Sequence, residues 1–340
     1  MQKGLISVVI PTLNAARTLP TCLQALCRQT AFGDVEVLIV DGGSTDQTRP
    51  IAHEFGARII ENPWVLPERA KSLGLQNAHG EFGVFLDADE EIVRGDSFAR
   101  KREMLGIEET VHNVMTAGLL RPDSEPLLTE YANRYGDPFS FFLYRLDGGD
   151  LLPAGRNRYR VVCETSNGVV FEVPLTEPMP ICDAGGHFFR LSRVRETEDL
   201  EDPTLASRLF TSMTADNRQF AILQGDFVRH HAATTFVSLA RKIDWRVRNN
   251  TYITPDAKGG HAARAASQPE SFRKRQYGFL PYALLVIPAV ADAVRLAVRH
   301  RNPMMLAHAP LAVGTGVDII FHRLARICGL RFHAKRYGRS

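Results

Sequence analysis

Asp87 and Asp89 stand two residues apart directly behind an apolar run at 82–86, and Glu90 and Glu91 follow them. On an extended chain residues i and i+2 share a face, so Asp87 and Asp89 can turn toward one ligand. Two close carboxylates repel, and a divalent cation relieves the repulsion. Hard oxygen donors suit Mg2+ or Mn2+ shared with a diphosphate. Glu90 and Glu91 read as the start of the next turn. Two further polar stretches also follow apolar runs: "PTLN" at 11–14 and "DGGSTDQT" at 41–48. Asp41 can accept hydrogen bonds from a base or ribose. Gly42 and Gly43 permit close backbone approach, and Ser44 or Asp46 can cap the following helix. No GxGxxG follows the first run and no GxxxxGK[ST] occurs, so dinucleotide and P-loop chemistry lose support.

The elements that must hold these residues alternate along the first ninety positions. Apolar, β-branched runs at 5–11, 35–40, 57–60 and 82–86 read as strands, and 16–30, 46–55 and 67–79 have helical spacing. That order predicts an α/β fold with a parallel sheet and right-handed crossovers, flanked by helices. In such sheets the ligand lies beyond the carboxyl ends of the strands, where all three polar stretches fall. Further on, "SFARKREML" and "LLTEYANRYG" suggest helices, and "RYRVVCE" with "GVVFEVP" a hairpin. A helix is expected over 202–213 with Pro203 in its first turn, and a helix with a basic face over 234–249. The Gly-, Ala- and Ser-rich stretch at 254–271 reads as a linker.

Three stretches together resemble one family. "SVVIPTLNAARTL", "VLIVDGGSTDQT" and "GEFGVFLDADEEI" are similar to the N-terminal half of family 2 glycosyltransferases with the GT-A fold, which implies a Rossmann-like α/β architecture with a mixed, mainly parallel sheet flanked by helices. The resemblance covers about 5–92 well and runs more loosely to about 250. It implies that Pro11, Thr12, Asn14, Asp41, Gly43 and Asp87 meet the donor nucleotide and that Asp89 holds the metal. Arg69 and Lys71 fall where such enzymes place residues near the donor diphosphate. The family's E-D-x-x-L-x-x-R-L motif matches "EDPTLASRL" at 201–209. This makes Asp202 the catalytic base, with Asp199 as the alternative. His230 and His231 are candidates for phosphate or acceptor contact, and Gly186 for the loop facing the acceptor. The implied reaction is inverting, metal-dependent transfer from a nucleotide-sugar, with a UDP-sugar as the expected donor.

The rest of the chain bears on where this would happen. At 340 residues, 44% apolar and 23% charged, the protein can bury a full core. Residues 1–228 carry 22 Lys/Arg against 33 Asp/Glu, whereas 229–340 carry 19 against 5. The N-terminus reads as having no signal peptide. Five cysteines without a CxxC pair read as reduced thiols of a cytosolic protein. Two apolar segments, 279–291 and 303–317, are broken by prolines, shorter than the ~20 residues a spanning helix needs, and bracketed by Lys and Arg. Such segments suit a helix lying in an anionic interface. The aromatics are not interleaved with the basic residues as a stacking platform needs, so nucleic acid is the weaker reading and no nucleic-acid partner is expected.

The expected organisation is therefore a glycosyltransferase domain at 1–232, a basic helix and linker at 233–271, and a C-terminal helical, membrane-associated region at 272–340. The protein is expected at the cytoplasmic face of the cell membrane, peripheral, monotopic or re-entrant. Its acceptor is expected to be lipid-linked, in cell-envelope glycan synthesis. Transfer to polyprenyl phosphate, in the manner of dolichol-phosphate-mannose synthase-like enzymes, and a non-catalytic membrane-bound scaffold are the competing readings.

Overall fold

The computed structural model describes residues 2–182, 184–252, 260–330 and 332. Strands β1 (Gln2–Thr12), β2 (Val35–Asp41), β3 (Arg58–Glu61) and β4 (Gly80–Phe85) alternate with helices α1 (Leu19–Cys27), α2 (Thr48–Glu54) and α3 (Pro67–Asn77). All four strands run parallel, in the order β3-β2-β1-β4. Their registers set the end of β1, Thr12, opposite the end of β2, Asp41, and the end of β4, Phe85, opposite Val9 of β1. Helix α3 can lie this close to β1 because Gly74 has no side chain; a Cβ there would fall 2.2 Å from Val9 Cγ1.

Beyond β4 the chain forms β5 (Glu90–Ile92), α4 (Ser97–Ile107), β6 (Asn113–Met115), β7 (Gly118–Leu120), α5 (Leu127–Tyr135), α6 (Pro138–Tyr144) and α7 (Leu151–Arg158). The expected hairpin is present as β8 (Arg160–Glu164) and β9 (Gly168–Glu172), antiparallel to each other. Then come β10 (His187–Arg190), α8 (Leu191–Thr197), α9 (Leu205–Ala215), β11 (Gln219–Leu223) and β12 (Phe227–His230). The large sheet continues from β4 as β10-β6-β11-β9-β8, with only the β6–β11 pair parallel. The mixed α/β architecture matches the expected class, and its parallel character is concentrated in the first four strands. A small second sheet, β5-β12-β7, pairs His230 with Glu90. It therefore brings position 230 beside the acidic turn after β4.

The remaining helices are α10 (Phe236–Tyr252), α11 (Gly260–Ala265), α12 (Glu270–Arg275), α13 (Phe279–Leu284), α14 (Ile287–His300) and α15 (His308–Ile327). Two expectations need correction here. The 254–271 stretch is largely helical where described, as α11 and the start of α12, while 253–259 lie outside the described residues. Pro203 precedes its helix rather than opening it, because α9 starts at Leu205. The C-terminal helices share a core with α5 and α6: Leu128, Tyr131 and Phe141 pack with Leu239, Ile243, Leu296 and Leu311. His308 locks this junction. Its Nδ1 lies 2.8 Å from the Tyr131 hydroxyl and its Nε2 2.6 Å from the Tyr282 hydroxyl. Tyr282 donates its own proton to Asp292, so His308 Nε2–H must donate to Tyr282 and Nδ1 accept from Tyr131. Burial pushes the His308 pKa down to about 4, consistent with that neutral ring.

One buried ion pair supports the sheet's functional end. Lys101 of α4 and Asp226 are both fully buried, with Lys101 Nζ 3.2 Å from Asp226 Oδ2 and donating to the Gly186 carbonyl at 2.9 Å. Ser97 Oγ donates to the same carboxylate oxygen at 2.9 Å. Substituting Lys101→Ala would strand the Asp226 charge in the core. It is expected to destabilise the protein by about 3–5 kcal/mol, seen as a lower urea midpoint.

Candidate active site

The ends of β1 and β4, the loop before β10 and one side of α10 enclose a cavity of about 940 Å3. Pro11 and Thr12 of β1 and Asn14 just beyond it line the cavity, as do Asp87 and Asp89 from the turn after β4. The two aspartates are held differently. Asp87 Oδ1 lies 2.9 Å from Lys71 Nζ, and the Lys71 side chain is buried behind it. Asp89 Oδ2 lies 3.3 Å from His230 Nε2. Burial acts to raise the Asp89 pKa, but the hydrogen bond and charge of His230, with Lys242, hold it down to about 2. Burial likewise acts to lower the His230 pKa, and the Asp89 bond and acidic neighbours raise it overall.

The donor set fits a divalent cation. His230 Nδ1 is 2.7 Å from Asn133 Oδ1, an acceptor, so the proton sits on Nδ1. Nε2 then faces Asp89 with a proton when the ring is charged, or with a lone pair when a metal is bound. One carboxylate and one imidazole suit Mn2+ at least as well as Mg2+.

Glu90 does more than begin a turn. It is 3% exposed, and its Oε2 accepts from the Asp87 amide at 2.8 Å and the Gly185 amide at 2.9 Å. Burial first, then the Asp87 charge, push its pKa up to about 8. Gly185 and Gly186 both have φ near +70° (71° and 70°), a backbone that side chains disfavour. Of the pair, Gly185 lines the cavity; Gly186, the residue expected there, turns its carbonyl to Lys101.

Asp41 corrects the expectation of direct nucleoside contact. Its side chain is fully buried and its acceptor sites are taken. Thr12 Oγ1 (3.0 Å) and Ser44 Oγ (2.5 Å) reach Oδ1; the amides of Gly43 (3.3 Å) and Ser44 (3.0 Å) and Arg49 Nε (2.9 Å) reach Oδ2. Asp41 thus shapes the loop behind β1, and Gly43, with φ +90°, serves the same loop.

Lys71 is likewise committed to Asp87, whereas Arg69 lines the cavity and stacks over Trp64 at 5.4 Å. The two histidines separate. His230 faces the cavity, while His231 Nε2 turns to Glu91 at 3.1 Å. Asp202 sits beside the cavity-lining Pro203. Its carboxylate accepts from the Thr204 amide (2.7 Å) and hydroxyl (2.8 Å) and from Arg208 Nη2 (2.7 Å). Burial works to raise its pKa, but the bonds from Thr204 and Arg208 lower it overall. Asp199 caps a local turn through the Glu201 amide.

Sequence reasoning missed the cavity's cationic wall. Lys242, Trp245 and Arg246 of α10 line it, and Arg246 Nη1 also pairs with Asp137 at 2.6 Å. The Arg246 charge and then burial lower the Lys242 pKa. The basic face noted over 234–249 was the signal for these residues. Nothing in local spacing ties that face to a turn 150 residues upstream.

Residues 7–97 match the family model described as Glycosyl transferase family 2. A PGL/p-HBAD biosynthesis glycosyltransferase of Mycobacterium tuberculosis is 37% identical over 115 residues, which are 32% of this chain and 44% of that protein. This chain therefore covers less than half of the mycobacterial relative. Glycosyltransferase AglE of Haloferax volcanii is 35% identical over 91 residues, 25% of this chain and 30% of that one. Among solved structures, residues 1–349 of S. aureus TarS align over 97% of this chain and 93% of that chain, at 14% identity and a TM-score of 0.48.

A charge-assisted hydrogen bond contributes about 1.5–3 kcal/mol. Lys242→Met is therefore expected to weaken inorganic pyrophosphate binding roughly ten- to hundredfold by calorimetry. An unchanged Kd would mean that α10 does not meet the anion.

Proposed function

We propose, from the match of residues 7–97 to the family model described as Glycosyl transferase family 2, that this protein transfers a sugar from a nucleoside-diphosphate sugar to an acceptor hydroxyl in the cavity. The division of charge across the cavity carries this reading: Asp87 and Asp89 on one wall, Lys242 and Arg246 on another. A sugar nucleotide requires both, carboxylates for its cation and cationic side chains for its diphosphate.

The donor is proposed to be a UDP-sugar, its nucleoside over Pro11, Thr12 and Asn14 and its diphosphate between the acidic turn and α10. A Mn2+ or Mg2+ ion held by Asp89 and His230 would supply positive charge at the leaving diphosphate. Lys242 and Arg246 meet the same developing negative charge from the protein side, and Asp87 is oriented by Lys71. Asp202 is proposed as the base, with Asp199 as the alternative. The bonds from Thr204 and Arg208 keep Asp202 ionised, the form in which it can take a proton. It removes the acceptor hydroxyl's proton as that oxygen bonds to the sugar C1 and the C1–diphosphate bond breaks, inverting the anomeric carbon.

The acceptor is proposed to be lipid-linked and the protein attached to a membrane surface. Helices α13 and α14 meet at a 91° bend that leaves Leu285 and Ile287 largely exposed, at 67% and 79%. Val290, Val294 and Val298 continue this apolar stripe along α14, and exposed Arg273, Lys274, Arg295 and Arg299 flank it. An apolar ridge with basic flanks complements an anionic lipid surface. Among the described residues one helix, Pro303–Ile327, is long and apolar enough to cross a membrane. This is longer than its apolar run suggested, because the helix continues past Asp318. One face of it packs on α10, α13 and α14, which favours lying at the interface over crossing.

A thermal-shift screen of nucleotide-sugars with Mn2+ tests the donor reading. At least one is expected to stabilise the protein, Asp89→Ala is expected to abolish the Mn2+-dependent part, and no shift with any donor would sink the proposal. Asp202→Asn is expected to keep the donor shift but lose sugar transfer; full transfer by that variant removes Asp202 as base. Donor binding with no transfer to any acceptor would instead favour a scaffold. Co-sedimentation with phosphatidylglycerol vesicles tests attachment. The pair Leu285→Asp and Ile287→Asp is expected to weaken it by at least about tenfold, and failure to bind anionic vesicles at all would refute it.

A further inference from the structure

Helix α10 has a second functional face. Asp244 lies two residues from both Lys242 and Arg246, about 200° around the helix from each, and so points away from the cavity toward α15. There it meets Asp318 and His322, which are one helical turn apart and share a face. We propose that Asp244, Asp318 and His322 form a divalent transition-metal site, zinc by its donor set, that fastens α10 to α15.

The distances suit one ion. His322 Nε2 lies 3.3 Å from Asp318 Oδ1 and 3.6 Å from Asp244 Oδ1. One ligand atom from each of the three residues lies within 4.8 Å of the others. Two ligand atoms bonded at ~2.0–2.2 Å to one tetrahedral ion stand about 3.3–3.6 Å apart. The carboxylate pair needs only a small adjustment, which Asp244, with 39% of its side chain exposed, has room to make.

Independent of the acidic pair, a buried imidazole nitrogen points into the site without a hydrogen bond. The His322 side chain is 1% exposed, and its Nε2 has no hydrogen-bond partner; neither has the buried Asp318 Oδ2. The other ring nitrogen is accounted for. Tyr252 of α10 donates its hydroxyl proton to the His322 carbonyl at 3.1 Å, and its oxygen lies 3.1 Å from Nδ1. With the Tyr252 proton on the carbonyl, Nδ1–H can donate to the Tyr252 oxygen, and a bound ion would take the Nε2 lone pair in place of a proton facing the two carboxylates. A metal-bound histidine carries this tautomer, with an outer partner fixing the ring.

Burial, then the Asp244 charge, raise the Asp318 pKa. Arg248 Nε now holds Asp244 Oδ1 at 2.7 Å; when that oxygen binds the ion, Oδ2 remains for Arg248. Binding releases whatever proton the pair holds, and water reaching Asp244 completes the coordination. The ion would fix the pitch of the helix that carries Lys242 and Arg246, yet the site stands apart from the Asp89–His230 pair and does not rest on the transfer reaction.

The test is zinc content and zinc-dependent unfolding temperature of the full chain after dialysis against Zn2+ and removal of loosely held ion. The parent and Asp89→Ala are both expected to retain about one equivalent and to unfold at higher temperature with zinc. His322→Gln and the near-isosteric Asp318→Asn are expected to lose both signals. Circular dichroism confirms that each variant is folded, and Asp318→Asn carries the test if His322→Gln is not. Retention of zinc by the folded variants at the parent level, which would assign it to thiols or to Asp89 and His230, overturns the proposal. So does a parent that retains none.

Discussion

The buried Glu90 carboxylate joins two backbone amides from distant parts of the chain, that of Asp87 and that of Gly185, ninety-five residues beyond Glu90 itself. Without this carboxylate the turn after β4 would have no acceptor for its first amide, and the Gly185–Gly186 loop no anchor at the cavity. Burying a carboxyl group is costly; here the two amides offset part of that cost, and the pKa pushed up to about 8 lets the group shed its charge. The Lys101–Asp226 pair supports the same loop from below through the Gly186 carbonyl. The acidic turn, the loop and the small sheet that brings His230 into place are thus one connected unit.

The charge asymmetry between the two ends of the chain acquires a spatial meaning. Asp87 and Asp89 reach the cavity from the turn after the parallel strand β4, and Lys242 and Arg246 from α10, the first helix of the basic C-terminal stretch. The two meet across a space large enough for a sugar nucleotide. A low-dielectric cleft with opposite charges on facing walls strengthens interactions with a zwitterionic metal–diphosphate unit, and the fold supplies those walls from sequence segments with opposite net charge.

Local pattern was enough to find the first four strands, their helices and the polar residues at the strand ends, because strand alternation and strand-end position are short-range properties. It failed where function depends on what a side chain is already bonded to. Asp41 was read as a nucleoside contact because its partners, Thr12 and Arg49, converge on it only in the folded sheet. Lys71 was read as a phosphate contact, although the α3–β4 packing places it under Asp87. Part of the Asp202 arrangement was visible: Thr204 two residues on and Arg208 six residues on lie within reach of a carboxylate at a helix start. Lys242 and Arg246 were visible only as a basic face, since the long-range packing of α10 on α15 decides which way that face turns.

The segment by which the chain is recognised ends at residue 97, but the sheet does not close there. Strand β4 takes its outer neighbour, β10, from residues 187–190. Gly83 leaves the space that the Phe189 ring fills, since a Cβ at that position would fall 2.4 Å from it. Cut from the rest, the recognisable part would expose a long parallel strand edge with a hollow beside it, a ready template for self-association. The segment that matches the family model is therefore smaller than the unit of folding, and any transplant of residues 7–97 into another protein would have to bring a substitute for β10.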